Sequence, residues 1–147
     1  MFRKLHKYAN PNKFSLIIIP IKNVCLYTAL PLIVIGLIIG LFFSPPDYQQ
    51  GETVRIMYIH VSSAWISLFA YVLIFFLSAF YLIWKFPLFV LMAKEIPFVA
   101  IIFTLITLIT GSLWGKPTWG TYWVWDARLT SFLILLFIYL GLIFIDK

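Results

Sequence analysis

Four long apolar stretches decide what this chain can fold into. The clearest is residues 24–43, twenty positions without a charged side chain. At about 1.5 Å per residue, a helix of that length crosses a hydrocarbon core of about 30 Å. Three further apolar stretches cover residues 54–84, 96–113 and 129–145. The sequence therefore predicts an all-α integral membrane protein with four transmembrane helices, forming a single membrane domain over residues 1–147.

The composition excludes a soluble globular protein. Hydrophobic residues make up 63% of the chain, charged residues only 11%, and the mean hydropathy is +1.03. Too few polar side chains remain to cover the exterior of a soluble domain of this size. The single cysteine, Cys25, lies in the first apolar stretch and excludes an internal disulfide or a CxxC redox pair.

Polar and helix-breaking residues mark the predicted connections. Residues 44–53 contain two prolines, a glycine and two acidic side chains, and residues 85–95 are predicted to form a short turn. The apolar patch at residues 14–21 is broken by Pro20 and is too short to span, so we expect it to lie at the membrane interface. The basic start and the apolar stretch after it also fit a cleaved signal peptide, but their length and the lack of a cleavage site argue against that alternative.

The basic residues predict how the chain crosses the membrane. Five of the eleven lysines and arginines lie in the first 22 positions, Lys85 and Lys94 flank the second connection, and the first connection is acidic. Basic connections tend to stay in the cytoplasm, so we predict that both termini and the second connection are inside. The first and third connections are then outside. His60 lies about 9 Å along its predicted helix from Val54, near the same outer face.

A tryptophan-rich segment, residues 111–130, stands between the third and fourth apolar stretches. Glycines and Pro117 interrupt it, which predicts an outer connection instead of one uninterrupted helix. An aromatic belt accounts for one or two indoles at the end of a span, whereas four lie here. Their flat apolar faces suit a planar ligand such as a porphyrin or a quinone. The four are Trp114, Trp119, Trp123 and Trp125.

Three polar residues near that face are further candidates. A histidine inside a span is costly to desolvate, so His60 is a site hypothesis, and neutral imidazole can ligate iron. The alternative for His60 is a hydrogen bond to a backbone carbonyl of a neighbouring helix. Arg128 is suited to meet a carboxylate of the ligand, and Asp126 has an alternative role as the N-cap of the fourth helix. His6 lies in the basic cytoplasmic segment, where we interpret it as solvated.

No pattern in the sequence indicates catalysis. The chain contains no HExxH motif, no phosphate-binding glycine loop, and no recognisable pairing of a nucleophile with a base or of two catalytic carboxylates. We therefore predict that the protein is not an enzyme. The residues alone lead to an outward-facing site for a planar apolar ligand, with iron ligation left open.

The tryptophan-rich segment resembles a known signature. Trp114-Gly115, Trp119-Gly120 and Trp123-x-Trp125-Asp126 are similar to the WWD motif of the haem-handling proteins of cytochrome c biogenesis. The continuation Ala127-Arg128-Leu129-Thr130 resembles the haem exporter protein C branch (CcmC) more than the larger haem-lyase branch. Further similar residues lie upstream, at 46–51, at Arg55 and in Tyr58-x-His60-Val61.

This resemblance implies a haem carrier of the bacterial inner membrane, with the mitochondrial inner membrane as the alternative. Members bind haem b at the outer face between two axial histidines and pass it to a periplasmic haem chaperone (CcmE). The implied partners are the ABC transporter subunits CcmA and CcmB and the small membrane subunit CcmD. The resemblance makes His60 the first iron ligand. It assigns the remaining site to Trp114, Trp119, Trp123, Trp125, Asp126 and Arg128.

The chain departs from the family pattern in two respects. Ser62 stands where a proline is expected after His-Val. The family has six spans, with the second histidine between the fifth and sixth, whereas four spans are predicted here, so we expect a truncated gene product or a fragment. The alternative function is a structural or scaffolding membrane subunit that binds no haem, such as a degenerate remnant, and a haem or quinone redox enzyme is a third reading.

Overall fold

The computed structural model describes residues 11–145, and its secondary structure is almost entirely helical. A π-helical turn, Ile39–Phe43, extends the first helix, and a 3-10 turn, Glu52–Val54, precedes the second. All four main helices are long and apolar enough to cross a membrane, which confirms the predicted four-helix membrane protein. They are α1 (Pro11–Ile38), α2 (Arg55–Trp84), α3 (Pro87–Trp119) and α4 (Ala127–Ile145).

The first helix is longer than predicted. We expected Pro20 to break the apolar patch at residues 14–21, and this was wrong because α1 runs without a break through Pro20 and Pro31. The location of the patch at the membrane interface stays a prediction. A proline removes one helical hydrogen bond. In an apolar environment the neighbouring backbone groups have no water to turn to, so the helix continues around the proline.

The connection between α2 and α3 is also shorter than the predicted turn at residues 85–95. Only Lys85 and Phe86 lie between the two helices. Lys85 adopts a left-handed conformation, with φ of 53°, and its N–H donates to the Tyr81 carbonyl at 2.7 Å, which closes α2. Pro87 then stands in the first turn of α3, where its missing N–H costs nothing. So short a connection makes α2 and α3 antiparallel neighbours.

The tryptophan-rich segment is half helix and half connection. The prediction that residues 111–130 are not one uninterrupted helix is confirmed, but α3 continues through Gly111 and Pro117 and ends only at Trp119. Gly120 ends the helix in a left-handed conformation, with φ of 75°, and its N–H donates to the Lys116 carbonyl at 3.0 Å. Two of the four tryptophans therefore lie on a rigid helix end, and two lie in the connection to α4.

A buried polar network joins α2, α3 and α4. The Thr104 hydroxyl donates to the Ala100 carbonyl at 2.7 Å and is 2.6 Å from the Ser67 hydroxyl. The Tyr139 hydroxyl donates to the Ser67 carbonyl at 2.7 Å. Ser67, Thr104 and Tyr139 are completely buried. Because hydrogen bonds need defined geometry, this network fixes the rotation and depth of the three helices relative to one another.

The aromatic ring of Tyr139 is expected to matter more than its hydroxyl. We expect Tyr139→Phe to lower the free energy of unfolding by about 0.6 kcal/mol, since single hydrogen bonds between membrane helices contribute about that much. Tyr139→Ala also empties a packed site and should cost about 3–5 kcal/mol. Unfolding in detergent, followed by circular dichroism, measures both values. Equal losses from the two substitutions would contradict this ranking.

Candidate functional site

The predicted site residues are brought together at one end of the helical bundle. Because α2 and α3 are antiparallel, the start of α2 lies beside the end of α3, and α4 begins near the same place. His60 lies less than two turns into α2, Trp119 is the last residue of α3, and Arg128 is the second residue of α4. Residues far apart in the sequence therefore meet between three helix ends.

A cavity of about 190 Å³ lies between these helix ends and opens to the outside. Most of its wall is apolar, with one imidazole and one guanidinium group as the ionisable members. The lining residues are His60, Thr107, Leu108, Gly111, Trp114, Trp119, Arg128, Leu129 and Phe132.

Four of the seven predicted site residues line this cavity. The His60 and Trp114 rings are neighbours, with centroids 6.0 Å apart and planes inclined by 47°. Trp119 packs back against Gly115, where an added Cβ would lie only 2.9 Å from the indole ring. The Arg128 guanidinium carbon is 4.9 Å from the centre of the Trp119 ring, a cation–π contact. The cavity thus combines a possible metal ligand, two indole faces and a cation.

Trp123 and Trp125 do not line the cavity. Their rings pack edge to face, with centroids 5.4 Å apart and planes inclined by 79°. Trp125 is 77% exposed. The Trp123 Nε1–H is buried and has no hydrogen-bond partner within residues 11–145. The assignment of these two residues to a ligand site stays a prediction.

Asp126 caps α4 and also holds Arg128. One carboxylate oxygen, Oδ1, accepts the Leu129 N–H at 2.9 Å, which confirms the predicted N-cap. The other, Oδ2, accepts from Arg128 Nε at 2.9 Å and Nη2 at 2.7 Å. The Leu129 N–H, followed by the Arg128 hydrogen bonds, holds the pKa of Asp126 below its usual value. Asp126 is therefore ionised at neutral pH and orients the guanidinium beside the cavity.

Gln50 is a residue that sequence reasoning did not single out. Its Oε1 accepts the Trp114 Nε1–H at 3.0 Å, which ties the first connection to the cavity wall. Asp47 shapes this connection, because its Oδ1 accepts the N–H groups of Gln49 and Gln50 at 2.9 and 2.8 Å. The same two bonds, that from Gln50 first, lower the pKa of Asp47. The similarity of residues 46–51 to the family was the available signal, but the pairing with Trp114 is visible only in the fold.

Thr110 is the second residue that sequence reasoning did not single out. Its hydroxyl oxygen lies 3.0 Å from Nδ1 of His60. The sequence left open a hydrogen bond from His60 to a backbone carbonyl of a neighbouring helix, and the side-chain partner of its Nδ1 is the Thr110 hydroxyl. Within residues 11–145, no group of three His, Cys, Asp or Glu side chains is arranged to hold a metal ion. An iron ligand of the described chain would be the single imidazole of His60.

Comparison with known proteins points to one family. The profile of a family described as heme exporter protein C matches residues 4–147. Heme exporter protein C of Bradyrhizobium diazoefficiens is 54% identical over 112 residues, which cover 74% of this chain and 43% of that protein. Heme exporter protein C of Escherichia coli K12 is 40% identical over 146 residues, 97% of this chain and 58% of that protein.

A mitochondrial relative is similar to the same degree. A ccmC-like cytochrome c biosynthesis protein of Marchantia polymorpha is 53% identical over 103 residues, 70% of this chain and 45% of that protein. The chain spans about half the length of the curated relatives it matches. The family profile covers nearly the whole chain, and the matched residues include the complete cavity. The chain therefore belongs to the heme exporter protein C family.

Proposed function

We propose that this chain binds haem b in the cavity between α2, α3 and α4, at the outer face of the membrane, and takes part in haem export for cytochrome c maturation. Haem is a flat, largely apolar ring whose iron takes an imidazole as a ligand. Two carboxylates lie at one edge of the ring. The cavity offers apolar walls, two indole faces, an imidazole and a guanidinium group. The observation that carries the proposal is the placement of His60 beside Trp114 in this cavity.

Arg128 is the residue proposed to meet a haem carboxylate. Its side chain is 71% exposed, and its bonds to Asp126 use only Nε and Nη2. A guanidinium carries five N–H donors, so donors remain for a second carboxylate. Asp126 keeps the group in place while the ligand enters and leaves.

The proposed role is transfer, and haem is its cargo. We propose that haem passes from this chain to a periplasmic haem chaperone (CcmE), with the transporter subunits CcmA and CcmB and the subunit CcmD as partners. Family membership supports this assignment, since the relatives are named for heme export. The proposed location is the bacterial inner membrane, with the mitochondrial inner membrane as the alternative, and both termini in the cytoplasm.

Haem uptake by the purified chain tests the proposal. Ferric haem added to the protein in detergent is expected to give a saturable Soret band that shifts on reduction. A protein that stays folded by circular dichroism but binds no haem would refute the proposal. That result would favour the alternative of a scaffolding subunit, for which the exposed ring of Trp125 would be a natural docking point.

A further inference from the structure

The hydrogen of the Thr110 hydroxyl can be located from its neighbours. Thr110 Oγ1 lies 2.6 Å from the Ile106 carbonyl and 3.3 Å from the Thr107 carbonyl, both of which only accept hydrogen bonds. The hydroxyl has a single hydrogen, and these carbonyls take it. Its oxygen is then an acceptor for the third neighbour, Nδ1 of His60 at 3.0 Å.

Nδ1 of His60 must therefore carry the hydrogen. A neutral imidazole holds one hydrogen, so the lone pair is left on Nε2. We propose that Thr110 is a positioning residue that holds His60 as the Nδ1–H tautomer and makes Nε2 the atom that ligates haem iron. This inference rests on the proposed function for its iron ligand, but the tautomer itself is a property of the chain without haem.

Gly111 has no side chain and so leaves room for the imidazole ring of His60 to pack against α3. A Cβ added to Gly111 would lie 3.0 Å from Cε1 and 3.5 Å from Nδ1 of His60. The edge of the ring that carries Nδ1 and Cε1 is thus packed against α3. The hydrogen bond to Thr110 prevents the ring from turning over in this position. Two successive residues of α3 therefore fix both the tautomer and the orientation of His60.

The partner of Nδ1–H also sets how strongly the imidazole binds a metal. A carboxylate in this position would make Nε2 a stronger electron donor. A hydroxyl is neutral, and its hydrogen bond is weaker than one to a charged group. Thr110 therefore fixes the geometry of the ligand and strengthens the bond to iron less than a carboxylate would, which suits a protein that must release its cargo.

The tautomer can be measured before any haem is added. In the full chain with His6→Asn, His60 is the sole histidine, and ¹⁵N-labelled histidine reports on it alone. At a pH where His60 is neutral, long-range nitrogen–proton spectra identify the nitrogen without hydrogen. Nε2 couples to both ring carbon-bound protons, whereas Nδ1 couples strongly to only one. We expect the bare nitrogen to be Nε2, and to remain so in Thr110→Ser but not in Thr110→Val.

Thr28→Val is the matched control. Thr28 lies on α1, and its hydroxyl donates to the Val24 carbonyl at 2.9 Å, the same bond to the preceding turn that Thr110 makes. This substitution also replaces a hydroxyl by a methyl group, but on α1 and away from His60. We expect no change in the His60 tautomer. A change in this control equal to that in Thr110→Val would overturn the assignment to Thr110.

Ferric haem titration of the same variants measures the effect on ligation. Loss of the group behind a metal-ligating histidine typically weakens metal affinity by about 10–100-fold. We expect this loss in Thr110→Val and close to unchanged affinity in Thr110→Ser and Thr28→Val. A bare Nδ1 in the unsubstituted chain, or an unchanged tautomer in Thr110→Val, would overturn the inference. Failure of the unsubstituted chain to bind haem would instead refute the proposed function, since the tautomer is read without haem.

Discussion

Replacing His60 by alanine is expected to abolish iron ligation by this chain. His60 is the only histidine among the described residues and lines the cavity. Loss of a supporting hydrogen bond typically lowers metal affinity by about 10–100-fold. The affinity for ferric haem should fall further in His60→Ala, because the ligand itself is gone. Oxidised and reduced optical spectra in detergent measure the loss. Unchanged spectra in His60→Ala would mean that iron is held elsewhere.

His60→Gly supplies the control for a mere folding defect. Free imidazole can occupy the space that the side chain leaves, so added imidazole should partly restore the ligated spectrum. The same addition should have little effect on a variant that is misfolded. Restoration in His60→Gly, together with loss in His60→Ala, would assign the effect to ligation.

The spectrum of the unsubstituted chain should also show a single protein imidazole. The sequence contains two histidines, and His6 is predicted to lie across a hydrocarbon core of about 30 Å from the site. We expect five-coordinate iron, or iron with water or an added ligand opposite His60. A low-spin spectrum with two histidine ligands from the monomeric 147-residue chain would contradict this expectation. The same spectrum from a dimer would indicate that two His60 side chains meet at an interface.

Removing both cavity tryptophans is expected to release haem while the fold persists. Each large side chain that buries apolar surface contributes roughly 1.5–3 kcal/mol, so Trp114→Ala with Trp119→Ala should weaken ferric haem binding on the order of a hundredfold or more. Titration in detergent measures the affinity, and circular dichroism checks the helices. Undiminished binding in this double variant would contradict a role for the indole faces.

The other tryptophan pair and a remote tryptophan provide the comparison. Trp123→Ala with Trp125→Ala tests the two residues that resemblance assigns to the haem site although they do not line the cavity. We expect a smaller loss than from the cavity pair. Trp84→Ala removes an indole that packs on Phe80 at the other end of α2 and should leave haem affinity unchanged. An equal loss from all three variants would point to a general defect.

The membrane class and four of the residues that line the cavity were predictable because they depend on local properties. Apolar length alone indicates a span, and the N-cap role of Asp126 follows from its position before an apolar helix. His60 stood out because an imidazole inside a span is costly. The tryptophans predicted a planar ligand, and their motif added the resemblance to the family and, with it, haem as the expected ligand.

The features that sequence reasoning missed depend on interactions between residues far apart in the sequence or on the apolar surroundings of the helices. Pro20 and Pro117 normally break helices, yet here both lie inside one, since a membrane helix loses more by unwinding than by accommodating a proline. Gln50 and Thr110 are unremarkable as residue types. Their partners, Trp114 and His60, lie 64 and 50 positions away in the sequence. Only the packing of α3 on its neighbours brings these pairs within hydrogen-bond distance.

The two-residue connection at Lys85 and Phe86 has a consequence for how the site is assembled during synthesis. So short a link favours the insertion of α2 and α3 into the lipid as one hairpin. His60, Thr110 and Gly111 all belong to that hairpin, so the imidazole can take up its position before α4 has left the ribosome. Arg128 and Leu129 arrive with α4 and close the remaining wall. The wall of the cavity that holds His60 would thus be built early, and the wall that holds Arg128 would be added last.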